Sequence, residues 1–190
     1  MKRGLMIKKT LLLIVTVSLL YGLSKLYIAY NLSHYAGYYV QQLSRKKGTN
    51  PELALVVDYV GQIKEPDQDN IFFRFKGRGT IYNVIQQNRE LALLAYQEND
   101  DEYYLMYSFN YNQKGNSISD DSYWFNEKGQ FTYYDHSEEG NSFQSKDIKY
   151  RDKASQLSSE IISPVLAVQP KPLINLQTLF NKQHEARFND

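Results

Sequence analysis

Three imidazoles, His34, His136 and His184, are the first candidates for chemistry, and they stand far apart in the chain. None lies four residues from another, so none forms the H-E-x-x-H spacing that turns two ring nitrogens toward one zinc ion on a helix face. With no cysteine in the chain, disulfides, thiolate metal ligands and thiol nucleophiles are excluded in any compartment. Serines are plentiful, but there is no G-x-S-x-G elbow and nothing local holds a serine against His136. Gly77-Arg78-Gly79 lacks the Lys-Ser or Lys-Thr of a phosphate loop and reads as a hairpin turn. Asp67-Gln68-Asp69-Asn70 begins like a calcium loop but lacks its glycine and distal glutamate, which leaves a solvated turn. Asp100, Asp101, Glu102, Asp120, Asp121, Asp135, Glu138 and Glu139 are numerous enough to set two carboxyls across a sheet, as glycoside hydrolysis requires. Most fall in predicted turns, where a charge is simply hydrated. The expectation is a protein without catalytic residues, metal or cofactor.

The elements that would carry these residues change character along the chain. Residues 10–24 form an uncharged, mostly apolar run directly after Lys2, Arg3, Lys8 and Lys9, and Leu26 to Tyr30 extend it toward bilayer length. No Ala-x-Ala-like cleavage triplet follows, so an uncleaved signal anchor is expected, with Lys25 snorkelling and Tyr27 and Tyr30 at the interface. The basic flank precedes the span and Arg45 to Lys47 lie well beyond it, so the positive-inside rule puts the N-terminus in the cytoplasm and the rest of the chain outside the cell. From Asn31 to Leu43 the apolar positions recur at three and four, which predicts an amphipathic stalk. Asn50-Pro51-Glu52 then supplies an N-cap, a proline at the first helical position and an early acid, and Leu53, Val56, Val57 and Val60 share a face.

Between residues 71 and 149 the period shortens to two. Segments 71–76, 79–86, 89–97, 102–112, 121–126, 130–135 and 143–149 are aromatic or β-branched and separated by turn residues, which predicts an antiparallel meander. Tyr103, Leu105, Tyr107, Phe109 and Tyr111 alternate with a more polar set, so their face should pack. Helical spacing returns over 154–166, and a last helix is expected from Leu173 to about Phe188. The fold class is α+β: an N-terminal transmembrane and stalk helix, then an antiparallel meander packed against flanking helices. The domains read 1–9 cytoplasmic basic segment, 10–30 anchor, 31–50 stalk or linker, and 51–190 extracytoplasmic domain.

The whole chain carries 22 basic and 21 acidic side chains, yet between Glu98 and Glu139 there are ten acids and two bases. That sign repels phosphates and argues against nucleic acid. Tyrosine and tryptophan offer wide, rigid contact area, and a rim of carboxylates speeds encounter with a basic protein. The candidate partner-binding residues are therefore Asp100, Asp101, Asp120 and Asp121 for charge pairing, with Tyr104, Tyr123, Trp124 and Tyr133 as aromatic anchors. A one-residue slip in register would exchange their faces.

The basic N-terminus, the anchor ending Tyr27-Ile28-Ala29-Tyr30, the aromatic strand Tyr103 to Tyr111 and the closing Ile174 to Phe180 segment together resemble the TipC-type immunity proteins. The resemblance covers most of the chain in layout and rests on no short motif, so it assigns no binding residue. It implies a small membrane-tethered protein displayed outside the cell, whose partner is a cognate toxin exported by a type VII secretion system that degrades the cell-wall precursor lipid II. A cell-envelope saccharide binder or glycan-acting protein is the alternative, and a structural component of an envelope assembly is a third reading.

Overall fold

In the computed structural model, residues 2–67, 71–76, 79–86, 89–99, 102–112, 118–138 and 140–189 are described; from 71 to 120 the description is of backbone and register alone. Helix α1 (Lys2–His34) contains a 28-residue stretch, Ile7–His34, long and apolar enough to cross a membrane, and its most apolar window is not buried in the domain. Leu11, Leu12, Leu13, Leu19 and Leu20 all stand exposed along it, so the apolar surface of this helix is not covered by the domain.

At Asn31 the surroundings change. Asn31 is buried, as are Ala36 and Tyr39 in the short helix α2 (Ala36–Tyr39) and Val40 and Leu43 just beyond it. The expected stalk is thus part of the domain interior. Its amphipathic face packs not on lipid but on distant parts of the chain, with Tyr39 against Phe180 at a ring separation of 5.3 Å.

Helix α3 (Pro51–Asp58) starts as its sequence dictates, the Asn50 side chain accepting from the Leu53 amide at 3.1 Å and Pro51 sitting in the first turn. Leu53 to Val57 are buried without a break, so the helix runs through the core instead of presenting one stripe to it. Helix α4 (Ile148–Ala167) begins earlier than its periodicity implies, because Asp147 accepts from the Lys149 amide at 3.0 Å and caps it. The seventh strand accordingly stops at Ser145 instead of running to residue 149. Helix α5 (Gln177–Asn189) closes the chain, burying Phe180 and Phe188.

The seven strands β1 (Ile71–Lys76), β2 (Gly79–Gln86), β3 (Arg89–Asn99), β4 (Glu102–Asn112), β5 (Ile118–Phe125), β6 (Phe131–Glu138) and β7 (Asn141–Ser145) form one sheet, each paired antiparallel with its sequence neighbour. This is the predicted meander. Its β5–β6 hairpin is seated on α3. The Asn50 amide donates to the Lys128 carbonyl at 3.0 Å, and Gly129 has φ +67°, where a Cβ would lie 2.3 Å from the Asn50 carbonyl oxygen. Only glycine fits that turn without displacing the helix start.

Candidate partner-binding face

Alternation along paired strands decides which candidate residues belong together. Tyr123 pairs with Tyr134, Asp121 with His136 and Tyr107 with Tyr123, so these share one face. Trp124 pairs with Tyr133 and with Met106, and Asp120 with Asn110, which puts them on the other, together with Tyr104 two residues from Met106. A bulge between Trp124 and Phe125 shifts the hairpin by one residue on its way to the turn, and this shift is what the sequence pattern does not reveal.

The first face is the inner one. Tyr123, Phe125 and Tyr134 belong to the core, and Tyr134 stacks on Tyr150 of α4 at 4.0 Å and 6°. Tyr123, expected as an aromatic anchor for a partner, is 6% exposed and is corrected to a core residue; strand alternation turns it toward the helices. Asp121 accepts from Tyr134 Oη at 2.5 Å and from His136 Nδ1 at 2.8 Å with the same oxygen. Glu138 Oε2 stands 3.7 Å from His136 Nε2. Burial pushes the Tyr123 phenol up to about 12, helped by the Asp121 charge. Burial and the bond to Asp121 push Tyr134 up as well. His136 is raised, first by its hydrogen bond to Asp121 and further by the carboxylate charges, against a smaller opposing effect of burial. Sequence reasoning passed over His136 as isolated, and the signal that finds its partner is the hairpin register, not local spacing.

The second face carries a stacked pair, Trp124 on Tyr133 at 5.3 Å and 15°, both half-buried. Register places Asp120 four residues along β5 from Trp124, about 13 Å away, and Tyr104 beside the Trp124 end of the same face. Asp100 and Asp101 lie outside the described residues. Of the eight candidates, Tyr104, Asp120, Trp124 and Tyr133 therefore share a face by register, and Asp121 and Tyr123 do not join them.

A groove of about 610 Å³ lies elsewhere, between the loop before α3, the β5–β6 hairpin and α4, lined in part by Arg45, Asn50, Phe131, Arg151 and Asp152. Its Asp152 is paired with Arg151, and the neighbouring Glu52 with Arg45. Among the described residues, no three His, Asp or Glu side chains are grouped to hold a metal ion. Compared with family models, curated proteins and solved structures, the chain has no match.

Proposed function

We propose that this chain is a membrane-anchored, extracytoplasmic immunity protein that binds and inhibits an exported antibacterial toxin acting on the cell-wall precursor lipid II. The observation that carries this reading is the pairing of a membrane-length helix, joined directly to the domain, with a sheet face on which Tyr104, Asp120, Trp124 and Tyr133 share a register. An inhibitor fixed to the membrane is concentrated where a lipid-linked target lies, without any additional contact. The stacked Trp124–Tyr133 pair supplies the kind of rigid aromatic surface that dominates protein interfaces, and the acidic composition from Glu98 to Glu139 favours a basic partner. Lys2, Arg3, Lys8 and Lys9 before the span support a cytoplasmic N-terminus.

The test presents the full chain in lipid nanodiscs to culture supernatant, identifies what is retained, and assays whether the chain protects sensitive cells from the retained protein. Salt-sensitive retention of one exported toxin, with protection lost in a Trp124→Ala/Tyr133→Ala double variant, is the expected result. Undiminished protection by that variant would remove the assigned face. Retention of purified wall polymer instead of protein would favour the saccharide alternative and direct attention to the groove at Arg45 and Arg151.

A further inference from the structure

The change from membrane helix to domain falls at one residue. The exposed apolar side chains of α1 continue to Tyr30, and Asn31 is 0% exposed. Residues 10–30 cover about 31 Å, close to the thickness of a bilayer's hydrocarbon layer. Asn31 then lies at the level where acyl chains give way to headgroups.

The loop between α4 and α5 meets α1 there. Asn31 Nδ2 donates to the Ile174 carbonyl at 3.2 Å, Tyr39 Oη donates to Asn31 Oδ1 at 2.6 Å, and the Leu176 amide donates to Tyr39 Oη at 3.0 Å. Pro172 is buried. Between these fixed points Leu173 is 99% exposed and Ile174 54%. A pair of aliphatic side chains held outward by tied neighbours is unfavourable in water and favourable against an apolar phase. The charge pattern agrees. No acid occurs before Glu52 or between Glu160 and Glu185, whereas Lys171 is exposed two residues before Leu173.

We propose that the 171–174 loop is a second membrane contact, Leu173 and Ile174 entering the interfacial layer of the bilayer that α1 crosses while Lys171 meets headgroup phosphates. The domain then sits on the membrane at a fixed tilt. This rests on insertion of α1 and is independent of what the sheet binds.

Because the chain has no cysteine, Leu173→Cys gives a single labelling position, and full exposure of Leu173 keeps the substitution from disturbing the core. Lys47→Cys serves as control. Lys47 is exposed and follows Lys46, whose amide bonds Phe188 at the far end of α5, some 18 Å along that helix from Leu176. Both full-length proteins carry an environment-sensitive fluorophore in vesicles of phosphatidylcholine with a minority of phosphatidylglycerol. The label at 173 should be quenched several-fold more by lipids bearing a nitroxide near the headgroup, and several-fold less by aqueous iodide, than the label at 47. Equal iodide access and no lipid quenching at 173 would overturn the contact, even if a soluble protein later proved to cover Leu173. Flotation with the vesicles reads α1 insertion separately, and failure of both proteins to float would overturn the anchored reading and the loop contact together.

Discussion

On β5, Tyr123 and Trp124 are neighbours in sequence with opposite surroundings. Tyr123 is a core residue beside Tyr134, and Trp124 lies half-buried on the reverse of the sheet against Tyr133. The same holds for Asp121, whose carboxylate already accepts from Tyr134 and His136, and Asp120 on the other face. Composition treats the two members of each pair alike, while the pleat turns one toward the helices and the other to the opposite face of the sheet.

The sharpest way to break this contrast is to truncate both members of a pair. Tyr134→Ala removes a buried ring stacked on Tyr150 and should cost about 3–5 kcal/mol, whereas Tyr133→Ala should cost about 1 kcal/mol. Urea unfolding of the detergent-solubilised chain, followed by fluorescence of its single tryptophan, measures both, and equal losses would mean that both faces are packed. Gly129→Ala addresses how the inner face is held, since it forces an L-residue into positive φ and against the Asn50 carbonyl; a loss of about 2–3 kcal/mol is expected by the same assay. Asn50→Ala, which deletes only the cap of α3, should cost about 1 kcal/mol.

The smallest effects come from pH and have opposite signs. His136 is raised by its bond to Asp121, so its contribution is complete below the unfolded value of about 6.5 and fades as pH rises through the folded one. His184, lowered by burial beside Tyr59, stabilises above about 6.5 and loses that contribution as pH falls toward its folded value. In melting curves between pH 5 and 8, His136→Gln should lower the Tm on the acid side, and His184→Gln should lessen the acid-side loss. The same sign for both would contradict the placement of one of them.

Much of the architecture was legible because period carries it: the seven strands fall close to their alternating segments, and Asn50-Pro51-Glu52 marks α3. The use of residues 31–43 was not. Spacing of three and four describes a helix face that seeks apolar company, and nothing local says whether that company is lipid or, as here, Phe180, more than a hundred residues away. The candidate face was half legible for a similar reason. Residue types named Trp124 and Tyr133, but separating them from Tyr123 required the register of a hairpin with a bulge.

The bonds of Tyr39 to Leu176 and Gln177, and of Lys46 to Phe188, join the start of the domain to its last helix. During synthesis at about 5–20 residues per second, Tyr39 emerges on the order of ten seconds before the residues that cover it. The core therefore closes last, after the long apolar helix and the whole sheet have been made, and a nascent chain that stops short of α5 is left open.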